Sequence, residues 1–214
     1  YPPSRPPHVG DILHLPTGTY VTPEQMLANA SDARVVFVGE THDNPAAHRL
    51  QQQLLETMAK RYPGKVSLGM EMFTFEQQPT LDRWSAGELD EKSFLKEVRW
   101  FDNWSMDFAY YRELLLLARE LKIPVIGLNA PKTMIRAIGM QPVDQLDEEL
   151  RAQLPELDLN EPYQRAMTEA IYAGHDGGRH LADGFQRVQT LWDEMMAENV
   201  AKELRAKGSS QRMM

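Results

Sequence analysis

The chain has 214 residues, 42% hydrophobic and 25% charged, with a net charge of −8 and a pI of about 5.3. That balance suits one globular domain, or one domain with a smaller helical lobe, with enough apolar material for a core. No basic patch or stripe is present, so nucleic acid is not an expected partner. The lack of cysteine removes disulfides, Cys-type zinc sites and thiol nucleophiles, and no apolar run approaches the roughly 18 residues that span a bilayer.

The first residues, Tyr1-Pro2-Pro3-Ser4-Arg5-Pro6-Pro7, read as a stiff polyproline-type tether within an N-terminal arm, residues 1–33. They contain neither an initiator methionine nor a signal peptide. Either the boundary is arbitrary or this is the start of a mature exported protein whose signal and lipid-bearing cysteine lie outside the chain.

An α/β core is expected over residues 34–140. Val35-Val36-Phe37-Val38, stopping at Gly39, has the continuous apolar character of a strand buried on both faces. A helix follows, with Asn44 to cap it, Pro45 at its first position and Leu50, Leu54, Leu55 and Met58 along one side, ending at Tyr62-Pro63-Gly64. The second strand is Val66 to Phe73, with Val66, Leu68, Met70 and Met72 on one face and Ser67, Gly69 and Glu71 on the other. Short helical pieces are expected around Glu76–Trp84 and Asp90–Val98, then a helix from Met106 to Lys122. Ile123 to Leu128 is the third strand, and Pro131 opens another helix. Strands alternating with helices make a mainly parallel sheet flanked by helices. Residues 141–183, polar and Glu/Gln-rich, interrupt this as a helical insertion or lobe with a Gly-rich break at Gly174–Gly178. In residues 184–214 a long helix, begun near Leu181 and running to Lys207, completes the core, with Phe185, Val188, Trp192 and Met195 as its stripe and Gly208 at its end. The 12 methionines sit mostly at core spacing and read as packing.

Ligands of open parallel sheets sit outside the carboxyl ends of the strands. Glu40, His42 and Asp43 follow the first strand, Glu71 lies near the end of the second, and Asn129 follows the third. If the three strands are neighbours, Glu40, His42, Glu71 and Asn129 converge on one cleft. A His held by a carboxylate can act as a general base on water, and a second carboxylate could take the proton or help hold a metal. Simpler roles exist for each. Glu40 and Asp43 could favour the following helix N-terminus, His42 could bond to backbone, and Asn129 could be a turn residue. Glu71 is costly to bury unpaired, and His42 is its natural partner. His48 reads as a surface histidine, and His8 and His14 as incidental.

A second cluster is Tyr172-Ala173-Gly174-His175-Asp176-Gly177-Gly178-Arg179-His180. Tyr and His are both axial ligands of haem iron, and an Arg can meet a propionate. The plainer reading is a solvated inter-helix loop.

The motifs Val35-Val36-Phe37-Val38-Gly39-Glu40-Thr41-His42-Asp43-Asn44, Gly69-Met70-Glu71-Met72-Phe73, Trp104 with Tyr110-Tyr111, Ile126-Gly127-Leu128-Asn129-Ala130-Pro131 and Trp192-Asp193-Glu194-Met195-Met196-Ala197 occur in that order. Together they resemble the ChaN-like haem-binding lipoproteins over about Val35 to Val200. The resemblance implies a periplasmic or cell-envelope lipoprotein of haem and iron uptake, anchored by lipid outside this chain. It further implies a homodimer holding haem between subunits with Tyr and His ligands, and envelope transport components as partners. Tyr172, His175 and His180 are the expected ligand candidates, with Tyr163 in reserve and Arg179 for a propionate. It also implies kinship with erythromycin esterases and Tiki proteases, where a Gly-x-x-His turn and a strand Glu form a hydrolytic or metal site; here those are Gly39 to His42 and Glu71. One departure is that such proteins usually continue with another strand and a second Gly-x-x-His turn, which would begin near Gln211-Arg212-Met213-Met214. A missing strand would leave a sheet edge that favours self-association. Haem carriage is thus the first expectation and a metal-dependent hydrolase the second. The third is an interaction module whose acidic lobe meets a partner.

Overall fold

The computed structural model describes residues 2–172 and 179–214, the side chains of 171–172 and 179–182 excepted. The N-terminal arm carries a small hairpin and a helix. Strands β1 (Ile12–His14) and β2 (Thr19–Val21) pair antiparallel, and Arg5 stacks over Tyr20 while binding Asp11 through two hydrogen bonds. Helix α1 (Pro23–Asp32) starts on a Thr22–Gln25 capping box.

Helix α2 (Pro45–Arg61) begins as its residues dictate: Asn44 accepts from the Ala46 amide and Pro45 fills the first position. It buries Leu54, Leu55 and Met58. Strand β3 (Val66–Thr74) follows, then α3 (Gln78–Ser85), α4 (Glu91–Glu97), the short α5 (Trp100–Asn103) and α6 (Ala109–Glu120). Strand β4 (Val125–Asn129) leads into α7 (Lys132–Met140). The one-turn α8 (Glu148–Arg151) and α9 (Pro162–Tyr172) precede the long α10 (Arg179–Lys207), and the short β5 (Arg212–Met213) completes the sheet. Among the described residues no helix is long and apolar enough to cross a membrane.

The main sheet is parallel, in the order β4-β3-β5. β3 is central and buries Val66, Leu68, Met70 and Phe73, as a parallel strand covered on both sides must. The main core joins α2, β3, α3, α4 and α6 around Trp84, Phe94, Trp100, Phe108 and Tyr111. A second apolar cluster joins α7 to α10 through Met134, Ile138, Leu191 and Met195. The two helices approach closely at Gly139 and Gly184, where a Cβ on Gly184 would collide with the Gly139 carbonyl.

The first expected strand departs from its reading. Residues 34–40 form no strand; only Val35 bridges the sheet, through Met213, and Phe37 is 79% exposed. β5 has taken the place beside β3, so residues 34–40 lie one strand further out. Two hydrogen bonds join them to β5: the Met213 amide donates to the Arg34 carbonyl and the Val36 amide to the Met213 carbonyl. Apolar character alone does not say which strand takes the central position.

Candidate functional site

A cavity of about 390 Å³ is lined by residues 35–40, by β3, by Met213 and Met214, and by side chains of α6, α10 and β4. Glu40, His42 and Glu71 stand at its polar end. A wider surface depression of about 510 Å³ around Lys60, Tyr62, Lys122 and Lys207 holds none of the expected site residues.

Glu40 is the hub. Its side chain is only 6% exposed. One oxygen accepts from the Tyr111 hydroxyl at 2.8 Å and from His42 Nδ1 at 2.9 Å; the other accepts from Gln51 Nε2 at 2.7 Å. Burial alone would raise its pKa, but the three hydrogen bonds and nearby His48 outweigh that and hold it below 4.5. Tyr111 pays the complementary cost: burial, then its bond to ionised Glu40, pushes its phenol well above the ordinary value.

His48 is a correction to the surface reading. It is 7% exposed, stacks against Tyr110 and meets the edge of Tyr111. Its Nε2 donates to the His42 carbonyl at 2.9 Å. Its Nδ1 lies 3.2 Å from Glu40, close enough for charge attraction but misaligned for a hydrogen bond. Helical periodicity placed His48 on α2 correctly but could not show that α6 packs over it.

Because a carboxylate only accepts, His42 must donate through Nδ1, which leaves Nε2 as the acceptor. The ring is 39% exposed and held edge-on against Trp104 at 5.0 Å. A fixed tautomer with a free basic nitrogen can act as a general base or a single metal ligand. The expected His42–Glu71 pairing is not what forms, since Glu40 takes the imidazole instead. Glu71 makes no side-chain hydrogen bond among the described residues, and burial, opposed by His42 and reinforced by Glu40 and Asp193, raises its pKa.

Asn129 does not line the cavity; it donates to the Glu71 carbonyl and accepts from the Ala130 amide, the turn role. Asp43 is exposed and also outside the lining. Gln51, Tyr111 and His48 were missed as site residues, although Gln51 and His48 lie a few residues beyond the Gly-Glu-Thr-His turn on a helix. Among the described residues no group of three or more His, Cys, Asp or Glu is placed to hold a metal ion. Tyr172, His175 and His180, the expected haem ligands, and Arg179, expected to meet a propionate, lie outside the described residues or side chains. Tyr163, in reserve, opens α9 with 81% of its surface exposed, beside Met167 at 63%.

A family model described as haem-binding uptake, Tiki superfamily, ChaN matches residues 26–214. No curated protein matches the chain. Among solved structures it is similar to one described as cofacial heme binding to ChaN of Campylobacter jejuni, with a TM-score of 0.71 and 16% identity, over 88% of this chain and 73% of that one. At that identity the likeness shows the shared fold.

Proposed function

The chain belongs to the haem-binding uptake family of the Tiki superfamily, the ChaN family, and from that premise we propose that it binds haem in haem or iron uptake. The single observation that carries the reading is the family match across residues 26–214. The finer reading is a homodimer at the cell envelope, anchored by lipid, with haem between its subunits. The similar Campylobacter jejuni structure, described as cofacial heme binding, supports the shared-haem arrangement.

The described surface fits a porphyrin in part. Ferric haem needs an axial donor and apolar surface for its ring. Tyr163 offers a phenol and Met167, one turn on, an uncovered apolar side chain. Tyr163 would supply the donor to iron and Met167 would pack against the ring. The neighbouring Asp158, Glu161, Asp193 and Glu194 would turn the propionates away from that side. Haem would supply iron for delivery; the chain's own task is to bind and orient it.

Hemin titration followed at the Soret band, with size-exclusion chromatography of the same samples, tests this. Saturable uptake with a shift to dimer size is expected; no specific uptake refutes haem carriage, and a monomer throughout refutes the shared site. Tyr163→Phe, Tyr172→Phe and His175→Ala, compared in turn, identify the ligand by which substitution moves the band.

The Glu40-held imidazole favours a second reading, hydrolysis with His42 as general base and Glu71 as proton carrier. Ester hydrolysis abolished in His42→Ala with the fold intact would support it; no turnover of esters or amides by the parent protein would reject it.

A further inference from the structure

We propose that the groove between α10 and the β4 side of the sheet binds an extended, basic segment of a partner protein. This goes beyond haem carriage and does not depend on it, since no residue of the Tyr163 surface lines the groove.

Two depressions, of about 570 Å³ and about 420 Å³, share Phe75, Asn199 and Lys202 and so meet along one flank of α10. They run from Met195 to Lys207, about 18 Å at a rise of about 1.5 Å per residue. An extended chain covers that length in about five residues. Phe75, Ile126, Leu154 and Met195 give the groove its apolar contact surface. β4 is the outer strand on this side, across β3 from β5. Its outward backbone groups are already used: the Val125 amide donates to Ser85 Oγ, the Gly127 amide to Gln78 Oε1, and Gln78 Nε2 to the Val125 carbonyl. A partner segment therefore lies against α10 and does not extend the sheet.

Asn199 selects a peptide. It is 9% exposed and lines both depressions. Its Nδ2 donates to the Leu128 carbonyl, while its Oδ1 accepts nothing among the described residues and is left for a ligand. The free Oδ1 and the second Nδ2 hydrogen form the edge of a primary amide, which pairs with the N–H and C=O of an extended main chain. Charge selects a basic segment. The groove holds Asp82, Glu156, Glu198 and Glu203 against Lys202 and Lys207. Residues 141–200, which supply much of it, hold 13 acidic residues, four arginines and no lysine, more negative charge than the −8 of the whole chain. Basic side chains at alternate positions would meet these carboxylates while the intervening side chains face Phe75 and Met195.

The test titrates the whole haem-free chain with acetylated, amidated pentapeptides: Lys-Leu-Lys-Leu-Lys, its counterpart with glutamate for lysine, and the lysine peptide N-methylated at its internal nitrogens. Isothermal calorimetry reads affinity, and the Asn199 side-chain amide in heteronuclear NMR reads the place of binding. The lysine peptide should bind saturably and about tenfold or more tighter than the glutamate peptide, the scale of a few exposed charge pairs. N-methylation, which removes the main-chain donors, should weaken it about fivefold, the scale of one hydrogen bond. Glu156→Lys, an exposed substitution outside the core, should weaken it about two- to fivefold with the circular dichroism unchanged. A glutamate peptide that binds as tightly, N-methylation or Glu156→Lys without effect, or no saturable binding would each overturn the proposal. So would binding that leaves the Asn199 amide unmoved, the mark of diffuse attraction to the acidic lobe.

Discussion

Tyr111→Phe is the sharpest probe of the buried network. The substitution removes one oxygen from a side chain with no exposed surface and leaves the ring packed against Trp100 and Trp104. Two interactions go. The hydroxyl donates to the Glu40 carboxylate at 2.8 Å, a bond to a charged group worth about 1.5–3 kcal/mol, and accepts from Trp104 Nε1 at 3.2 Å, worth about 0.5–1.5 kcal/mol. The sum predicts a loss of about 2–4.5 kcal/mol, a large fraction of a marginal total. Urea denaturation followed by circular dichroism measures it as a lower midpoint at unchanged slope. The pH dependence follows from Glu40. Its folded pKa is lowered, so the stability owed to the ionised form is fully present above its ordinary value of 4.5 and is lost as pH falls through the folded value. The penalty of Tyr111→Phe should therefore be full at neutral pH and shrink in acid. A neutral-pH loss under about 0.5 kcal/mol, or one that does not change with pH, would refute Glu40 as an ionised hub.

Glu71→Gln should stabilise the ligand-free protein at neutral pH. A carboxyl whose folded pKa is raised contributes stability at low pH that is lost as pH rises through the folded value, and the always-neutral amide escapes that loss; parent and variant should converge near about pH 4 in thermal unfolding, and a variant less stable at neutral pH would contradict this. Gly127→Ala should cost about 1–3 kcal/mol or more, because its Cβ would press on the Thr74 carbonyl where β3 and β4 meet across an irregular register; an unchanged denaturation midpoint would show that the strands yield freely. Asn199→Ala should cost about 1–3 kcal/mol, since the Asn199 amide donates to the buried Leu128 carbonyl at 2.8 Å, and a slower-exchanging amide network around β4 would argue the reverse. In hemin binding, Tyr163→Phe should move the Soret band if its phenol is the iron ligand; an unmoved band transfers the role to another residue.

Much of the fold was legible because it rests on local chemistry. The α2 start follows from Asn44-Pro45, whose side-chain oxygen and fixed φ act within a few residues. The end of α10 follows from Gly208, whose positive φ of 87° suits a residue without Cβ. β3 and β4 were visible as apolar runs between helices, and the grouping of Glu40, His42 and Glu71 followed from placing each near a strand end. The family resemblance was carried by the order of five short motifs, and the match over residues 26–214 shows the same membership.

What the chain's own residues determined, then, was the identity of β3, β4 and the helices between and after them, the parallel α/β class and the family, because caps, turns and hydrophobic period are properties of neighbouring residues. Only the tertiary structure decided who touches whom. β5 lies beside β3 and Val35 bridges β5, an order set by which segments meet across the sheet. His42 pairs with Glu40 and not with Glu71, and His48 is buried, because α6 brings Tyr111 over a carboxylate 71 residues earlier in the chain. Pairings at that separation depend on packing geometry, which no local pattern encodes.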